Sequence, residues 1–377
     1  MTNTQKAQEK VFHTGESYFS SLLRDIQQAK QSIDIEVYIF TKDQLGRSIL
    51  RALLAAAKNR KLKVRLLVDG VGSPFWGGKL VRKLEKSGIK TKVFHPLPWD
   101  IGQWQRSTTK LPFLLHILYM FSKINSRNHR KSVIIDGKIA YIGSINIDKR
   151  HLSSRSGGQN WRDTAIRLKG YDLHTMREAF NSAWDQRHQW GASLEHLCQQ
   201  KIRLNYRPKA RFFYYKNLLK ALAKAKNRVW ITNAYFIPNH LFLRKIKKLA
   251  KQGVDVRLMV PEKSDVPGMQ WAANSLYKKL IHAGVKIYEY RPSMLHAKTI
   301  IIDDNVIVGS SNLNHRSLLH DLEVDVALES TEAKQTVVTQ FIRDIADSQA
   351  ITLENIPTMS WRKRFVGGFF VVFKYWM

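Results

Sequence analysis

One polar motif occurs twice in this chain of 377 residues. The segment NHRKSVIIDGKIAYIGSIN begins at Asn128, and the segment LHAKTIIIDDNVIVGSSN begins at Leu295. Each contains His-x-Lys, four residues, Asp, a short apolar run and then Gly-Ser-x-Asn. The imidazole and ammonium groups, two residues apart on a strand, point to the same face, where two potential cations are costly without an anion between them. The repeated motif therefore predicts a site for an anionic group.

The predicted site residues fall into two sets. The catalytic candidates are the histidine, lysine and aspartate of each motif: His129, Lys131, Asp136, His296, Lys298 and Asp303. The end of each motif supplies hydrogen-bonding groups for a phosphate: Ser144, Asn146, Ser310 and Asn312. Each aspartate lies an odd number of positions from its lysine and opens a tight turn, as in Asp136-Gly137. This position favours a turn and orienting role for the aspartates over direct chemistry.

Two imidazoles, two ammonium groups and two amides around one point suit a phosphodiester. One imidazole can attack phosphorus and form a phosphoenzyme, while the other protonates the leaving alkoxide and then deprotonates the incoming hydroxyl. The lysines and asparagines would stabilise charge on the non-bridging oxygens. No metal or cofactor is expected, because the lysine beside each histidine would repel a metal ion. A single His-x-Lys is typical of an ordinary strand histidine beside a surface lysine, but the duplication argues against that interpretation.

The repeat extends well beyond the motif. Upstream of each motif, an amphipathic helix is followed by a buried strand three times in the same order. The matched segments are 22–40 with 218–237, 52–70 with 245–261, and 80–96 with 275–290. This alternation predicts an α/β fold of two tandem lobes, 1–200 and 201–377, each a mixed, mainly parallel sheet flanked by helices. A pseudo-two-fold axis would bring the motifs 129–136 and 296–303 into one active site, so that a monomer is sufficient for catalysis.

The composition narrows the choice of partners. The chain has 62 Lys and Arg against 30 Asp and Glu, and this net charge of +32 predicts nucleic acid, an anionic membrane surface or a phosphate-bearing substrate. The single cysteine, Cys198, excludes an intramolecular disulfide. No apolar run reaches the ~18–20 residues that span a bilayer, and the polar start lacks the apolar core of a signal peptide. The protein is therefore expected to stay on the cytosolic side.

Short apolar segments favour a lipid partner over nucleic acid. LPFLLHILYMF (111–121) lies just before His129, and WRKRFVGGFFVVFKYWM (361–377) combines basic residues with an aromatic run. Both suit insertion at a lipid interface, although a buried core helix and a docked C-terminal element are the alternatives. The basic aromatic stretch 201–216 suits lipid headgroups and single-stranded nucleic acid equally. Three loop tryptophans are further interfacial candidates: Trp76, Trp99 and Trp104.

The doubled His-x-Lys-x4-Asp motif resembles the hallmark of the phospholipase D superfamily, and the likeness covers residues 15–345. Within it, EVYIF at Glu36, LLVDGVGS at Leu66 and NWRDTAIRLKG at Asn160 resemble bacterial cardiolipin synthases of the short type without N-terminal transmembrane helices. One departure is His320-Asp321, where many cardiolipin synthases have Leu-Asn, and this region is a candidate for tuning the acceptor.

The resemblance implies roles for individual residues. Asp163 and Glu323 fall where the superfamily places the carboxylates that orient the catalytic histidines. His129 corresponds to the nucleophile and His296 to the acid and base. Glu36, inside an apolar strand, is a candidate wall residue of the site, with Asn233 as its counterpart in the second lobe.

The function implied by the resemblance is phosphatidyl transfer. A phosphatidyl group would move from one phospholipid, phosphatidylglycerol, to a hydroxyl of a second through a phosphohistidine, giving cardiolipin. The substrates would be anionic phospholipids, and the protein would be peripheral on the cytoplasmic face of the inner membrane. A phospholipase D-type hydrolase or nuclease with the same site is the alternative, and nucleic acid is disfavoured without being excluded. A catalytically inactive membrane-binding protein is disfavoured by the two intact His-Lys pairs.

Overall fold

The computed structural model describes residues 7–97, 99–109, 112, 115, 118–119, 126–185, 201–206, 208–357 and 360–372. Most of the segment 111–121, Cys198 and residues 373–377 lie outside the described residues. The predicted lobe boundary at residue 200 also borders an undescribed segment, 186–200, and stays a prediction.

The first lobe is a seven-stranded sheet with helices. Its strands are β1 Gln8–Phe12, β2 Ser32–Val37, β3 Lys63–Asp69, β4 Ile89–Phe94, β5 Ser132–Ile135, β6 Ile139–Gly143 and β7 Ala165–Lys169. Its helices are α1 Gly15–Gln28, α2 Gln44–Lys58, α3 Gly78–Lys86, α4 Ile101–Trp104 and α5 His174–Asp185.

The second lobe repeats this plan around an eight-stranded sheet. Its strands are β8 Ile202–Leu204, β9 Arg228–Asn233, β10 Asp255–Pro261, β11 Lys286–Tyr290, β12 Lys298–Ile302, β13 Asn305–Gly309, β14 Val324–Ala327 and β15 Ser348–Ile351. Its helices are α6 Pro208–Lys224, α7 His240–Lys251, α8 Pro267–Ile281, α9 His315–Leu319, α10 Thr331–Ala346 and α11 Trp361–Val372.

Local sequence explains where the elements begin. The Asp43 side chain accepts the Gly46 N–H at 2.8 Å and starts α2, and Asn239 accepts the Phe242 N–H at 3.0 Å and starts α7. A short polar residue in this position satisfies an N–H group that the helix itself leaves unpaired. The sequence SIDIEV of β2 is buried from its second residue onward, as expected for a central strand rich in β-branched residues.

Seven strands follow the same order in both sheets, and the second sheet has β15 as an additional edge strand, which confirms the predicted duplication of an α/β lobe. The first sheet has the order β1-β7-β6-β5-β2-β3-β4. The second sheet, starting from the corresponding edge, has the order β8-β14-β13-β12-β9-β10-β11-β15. Both sheets are mixed, as predicted, but the expectation that they are mainly parallel is wrong. Only β2-β3-β4 and β9-β10-β11 pair in parallel, whereas the remaining strands pair antiparallel. The reason is that each motif forms a hairpin, and the chain then continues into further antiparallel neighbours.

One hydrophobic core joins the lobes. Inward-facing residues of both sheets pack around α5 and α10; Phe180 and Phe341 are buried there, and Phe341 stacks on Trp230 at 5.1 Å between ring centroids. Two other apolar clusters cover the outer faces of the sheets. Since the middle layer belongs to both lobes, their strand ends are held in fixed relative positions.

The membrane-related predictions have mixed outcomes in the structure. None of the helices formed by the described residues is both long and apolar enough to cross a bilayer. Trp99 is 66% exposed, in keeping with an interfacial role. The interfacial prediction for Trp76 is wrong, because that side chain is fully buried and its indole N–H binds the Phe40 carbonyl at 2.8 Å.

Candidate active site

Each motif histidine is attached to the opposite lobe by backbone hydrogen bonds. The His129 N–H donates to the Leu322 carbonyl at 3.0 Å, and the Leu322 N–H donates to the Arg127 carbonyl at 2.9 Å. In the second motif, the His296 N–H donates to the Arg162 carbonyl at 2.8 Å. Leu322 and Arg162 immediately precede Glu323 and Asp163 in sequence, so these bridges bring each carboxylate next to the histidine of the other lobe.

The histidine–carboxylate pairs are therefore crossed between the lobes. His129 Nδ1 lies 2.9 Å from Glu323 Oε1 and 3.1 Å from Oε2. His296 Nδ1 lies 3.0 Å from Asp163 Oδ2. A carboxylate on Nδ1 fixes the ring and keeps the proton there, which leaves Nε2 for chemistry. Asp163 and Glu323 thus lie where the resemblance placed them.

The Gly-Ser pairs hold these carboxylates. Ser144 Oγ donates to Asp163, and Ser310 Oγ donates to Glu323. Both serines are fully buried, and so do not reach a phosphate as the sequence had suggested. The preceding Gly143 is required for close packing, because a Cβ there would lie 2.5 Å from the Ala165 Cα. The Gly-Ser part of the motif therefore positions the carboxylates that hold the two histidines.

Each motif lysine is buried beside its histidine. Lys131 Nζ donates to the His129 carbonyl at 2.7 Å, and Lys298 Nζ donates to the His296 carbonyl at 2.5 Å. Lys131 also lies over the Tyr38 ring, with its Nζ 5.1 Å from the centroid. A buried ammonium held by a carbonyl and an aromatic face is positioned to attract an anion.

Matching tyrosines were missed by sequence reasoning. The ring centroid of Tyr38 is 5.1 Å from that of His129, and the ring centroid of Tyr235 is 6.2 Å from that of His296. The two residues follow β2 and β9 at the same position of the repeat. Their signal was present in the paired segments EVYIF and NAYFI, in which a tyrosine is the third residue of both.

One cavity connects the two half-sites. It has a volume of about 490 Å³ and is lined by both histidines, both tyrosines and both motif asparagines: Tyr38, His129, Asn146, Tyr235, His296 and Asn312. The side-chain oxygen of Asn312 is buried and has no hydrogen-bond partner among the residues that the structure describes. The Asn146 oxygen accepts the Ile39 N–H at 3.2 Å, which leaves its amide N–H groups as donors toward the cavity. A cavity of this size accommodates a phosphodiester headgroup.

The motif aspartates are placed elsewhere, at the far end of the hairpin strands from the histidines. Asp136 accepts the N–H groups of Lys30, Gln31 and Ser32 at 2.7–3.0 Å. Asp303 accepts three consecutive N–H groups at 2.9–3.0 Å, those of Lys226, Asn227 and Arg228. Their inclusion among the catalytic candidates is therefore corrected, because every hydrogen bond of their side chains goes to the backbone at the start of β2 or β9. The preference for a turn role agrees with this geometry.

Glu36 also binds outside the cavity lining. Its carboxylate accepts from Asn128 Nδ2 at 2.6 Å and from the Arg130 guanidinium at 2.7 Å, and it holds the side chains on both sides of His129. Its counterpart Asn233 accepts the Leu313 N–H at 3.2 Å. These hydrogen bonds fix residues next to the site. Glu36 is not part of the cavity lining, so the interpretation of Glu36 as a wall residue is wrong.

The region of His320-Asp321 does reach the cavity. Asp321 lines it, accepts the Arg127 N–H at 2.9 Å and pairs with Arg316 Nε at 3.1 Å. The carboxylate–guanidinium pair is a polar wall within the cavity. A wall of this kind suits a ligand that carries hydroxyl groups.

Burial is the main cause of the pKa shifts in the site. Burial lowers the pKa of Lys131 to about 7 and that of Lys298 to about 8, although Glu323 and Asp163 oppose the shifts. Burial, reinforced by Lys298, lowers the pKa of His296 to about 3. A bound phosphodiester would reverse these shifts, because a negative charge stabilises the protonated forms.

Comparisons with known proteins agree with this geometry. The family described as cardiolipin synthase, PLD-like domain, matches residues 22–184 and 218–345. A cardiolipin synthase of Halalkalibacterium halodurans is 31% identical over 369 residues, which cover 94% of this chain and 69% of that protein. A cardiolipin synthase of Clostridium perfringens is 30% identical over 376 residues, which cover 95% of this chain and 75% of that protein.

Solved structures share the fold at low sequence identity. The phosphatidylserine synthase of Haemophilus influenzae superposes with a TM-score of 0.71 at 12% identity, covering 98% of this chain and 94% of that one. The polyphosphate kinase of Porphyromonas gingivalis gives a TM-score of 0.60 at 11% identity, and the superposition covers 98% of this chain and 56% of that one. Together with the family match over both lobes, these findings show that the chain belongs to the cardiolipin synthase family of the phospholipase D superfamily.

Proposed function

We propose that this protein is a phosphatidyltransferase that forms cardiolipin from phosphatidylglycerol through a phosphohistidine. The observation that carries the proposal is the pair of crossed histidine–carboxylate contacts facing one cavity, in a chain whose relatives are cardiolipin synthases. Both reacting groups come from one chain, so a monomer holds the complete site.

The first half of the proposed reaction forms the intermediate. The His129 Nε2 lone pair attacks phosphorus, the bond to the glycerol oxygen breaks, and that oxygen takes the proton of His296 Nε2. The ionised Asp163 stabilises the positive imidazole of His296 before the proton leaves. Lys131 and Lys298 stabilise the charge on the non-bridging oxygens.

The second half returns the enzyme to its starting state. A hydroxyl of the second phospholipid gives its proton to His296 Nε2 while its oxygen bonds to phosphorus. The phosphorus–nitrogen bond then breaks, and its electron pair returns to His129. The Asp321–Arg316 pair on the cavity wall supplies an acceptor and donors for the polyol headgroup of the acceptor lipid.

A product assay tests this proposal. Purified protein is mixed with phosphatidylglycerol liposomes, and the lipids are measured by mass spectrometry. Cardiolipin with one glycerol released per molecule is the expected result. Phosphatidic acid without cardiolipin would show that water is the acceptor and that the enzyme is a hydrolase. Unchanged lipids with cleavage of added DNA would replace the proposal by a nuclease.

The pH dependence of kcat/KM should be bell-shaped with a maximum near pH 7. Burial raises the pKa of Glu323 to about 7, so below that pH the residue gains a proton and no longer holds His129 as an ionised acceptor. Above about pH 7, Lys131 loses its proton, and Lys298 follows near pH 8, so the site loses its attraction for the phosphodiester. Initial rates from pH 5.5 to 9.5 measure both limbs, since kcat/KM reports the free enzyme.

The variant Glu323→Gln separates the causes of the two limbs. It should lower the rate and flatten the acid limb, because the amide does not titrate in this range. An acid limb of unchanged midpoint in this variant would contradict the assignment to Glu323. Circular dichroism at each pH confirms that the variant and the wild type remain folded over the range.

We also propose that the protein is peripheral on the cytoplasmic face of the inner membrane, with α11 contacting the lipid. This helix packs on α8, where a Cβ at Gly367 would lie 3.0 Å from the Trp271 carbonyl oxygen. The loop at Val266 and the first turn of α8 at Met269 line the cavity. On its outer side α11 exposes 73% of both Trp361 and Phe365 within the basic sequence WRKRF. A basic and aromatic sequence on a helix that packs against a cavity-lining helix suits an anionic bilayer.

The double variant Trp361→Ala/Phe365→Ala should weaken binding to phosphatidylglycerol vesicles by about 10²- to 10⁴-fold. Each aromatic side chain contributes about 1.5–3 kcal/mol when it is buried, and 1.4 kcal/mol is a factor of ten. Sedimentation with vesicles at two salt concentrations gives the affinity. Ile342→Ala, which removes an exposed apolar side chain from α10, is the matched control. Equal losses in both variants would contradict a specific role of α11.

A further inference from the structure

A buried histidine outside the two motifs, His151, lies beside His296. His151 ends the 3₁₀ turn Lys149–His151 and is 2% exposed, with its ring centroid 5.9 Å from that of His296. Its Nδ1 lies 3.0 Å from Asp163 Oδ2, the same oxygen that contacts His296 Nδ1 at 3.0 Å. Two imidazole nitrogens therefore approach one carboxylate oxygen equally closely; the contact of His296 has hydrogen-bond geometry, and that of His151 is a close polar contact.

The second ring nitrogen of His151 determines where its proton lies. His151 Nε2 accepts the backbone N–H of Asn146 at 3.2 Å. A ring nitrogen that accepts a hydrogen bond carries no proton, so the ring proton of His151 is on Nδ1, the nitrogen 3.0 Å from Asp163 Oδ2. Asp163 accepts hydrogen bonds from three donors, Ser144 Oγ, the Thr164 N–H and His296 Nδ1, and His151 Nδ1 adds a close polar contact. Three donors favour the ionised form of a carboxylate.

The internal repeat shows that this arrangement is confined to one half-site. His151 is eight residues after Gly143, and the residue eight after Gly309 is Ser317. The Ser317 side chain interacts with Glu323, the carboxylate that holds His129, and lowers its pKa. The two half-sites therefore differ by an imidazole in one and a hydroxyl in the other. Burial raises the pKa of Glu323 to about 7, whereas His296 and His151 hold the pKa of Asp163 well below its usual range against the same effect of burial.

We propose that His151 is a positioning residue that keeps Asp163 ionised and fixed, and so commits His296 to the acid–base role. The proposal rests on the proposed function, in which His296 gives a proton to the leaving alcohol. An imidazole that must carry a second proton during the reaction needs an ionised carboxylate beside it. The nucleophile His129 needs only a free lone pair, for which the serine-supported Glu323 is sufficient.

Leaving-group dependence tests this role. Phosphatidyl-p-nitrophenol releases p-nitrophenolate, which leaves without a proton at pH 8, whereas phosphatidylglycerol releases glycerol, which needs one. The variant His151→Leu should release glycerol about 30-fold more slowly and p-nitrophenol within about threefold of the wild-type rate, since general acid catalysis contributes about 10²–10⁴-fold. Stopped-flow absorbance and coupled detection of glycerol measure the two rates.

Two conservative variants and one counterpart complete the experiment. His151→Asn retains an N–H near the position of Nδ1 and should recover most of the glycerol release, whereas His151→Gln places its amide near Nε2 and should behave like His151→Leu. Ser317→Ala acts on His129 through Glu323, so it should slow the release of both leaving groups. Thermal unfolding of each variant verifies the fold.

The outcomes distinguish this inference from the proposed function. Equal slowing of both releases in His151→Leu, or no recovery in His151→Asn, would overturn the positioning role. Wild-type protein that cleaves both esters but forms no cardiolipin would remove the transfer proposal, while the leaving-group comparison would still decide the role of His151. Wild-type protein that cleaves neither ester would overturn both.

Discussion

Replacing His129 by alanine should lower the formation of cardiolipin by at least about 10⁴-fold, because no other group supplies the attacking lone pair. The ring lies on the cavity, is held by Glu323 and is packed against Tyr38, so its Nε2 is the nitrogen available to phosphorus. The alanine variant should also give no burst of p-nitrophenol from phosphatidyl-p-nitrophenol, since a good leaving group does not replace the nucleophile. Mass spectrometry of the lipids and stopped-flow absorbance measure the two effects.

The matched control for this variant is His174→Ala. His174 lies on α5 with 73% of its side chain exposed, so its removal changes the histidine content without changing the cavity. Turnover of His129→Ala at more than about one hundredth of the wild-type rate would contradict the assignment of the nucleophile.

Replacing His296 by alanine should separate the two halves of the reaction. Release of glycerol should fall by about 10³-fold, because the leaving alkoxide loses its acid. With phosphatidyl-p-nitrophenol, the variant should instead give a burst of about one p-nitrophenol per enzyme and then stop, because no base activates the acceptor. The phosphoenzyme that accumulates should be labile to acid and stable to base, as a phosphoramidate is. Its attachment to His129 is measured by mass spectrometry of peptides prepared at alkaline pH.

The reverse pattern would exchange the two roles. If His129→Ala gives the burst and His296→Ala gives none, His296 is the nucleophile and Asp163 supports it. If neither variant accumulates a phosphoenzyme while the wild type turns over, a direct displacement by the acceptor replaces the covalent route.

The crossed pairs make each half-site depend on both lobes. Glu323 belongs to the second lobe and holds the histidine of the first, while Asp163 belongs to the first and holds the histidine of the second. Each half-site is completed by the other lobe, and the shared core around α5 and α10 keeps the two at fixed distances. A duplicated sequence therefore produces one site with two unlike halves.

Much of this site is readable in the sequence because chemistry and repetition are local properties. The doubled His-x-Lys pattern identified the two histidines and two lysines that the structure gathers beside one cavity. The matched helix–strand order predicted two lobes of one fold, and the sheets confirm it. The odd spacing of Asp136 from Lys131 indicated a turn role, and its three backbone hydrogen bonds agree.

Tertiary structure decided what depends on contacts between distant residues. No local pattern shows that Ser144 would face a carboxylate instead of a phosphate, since that depends on the pairing of β6 with β7. The burial of Trp76 depends on a hydrogen bond to a carbonyl that is distant in sequence. Antiparallel pairs outnumber parallel ones because of the strand that each hairpin joins. The binding of each carboxylate to the histidine of the other lobe arises only when the lobes pack, and so does the arrangement of His151 and His296 around Asp163. The amino-acid sequence alone determined the reacting groups and their duplication, whereas folding determined which groups support them, because hydrogen-bond partners are selected by proximity in space.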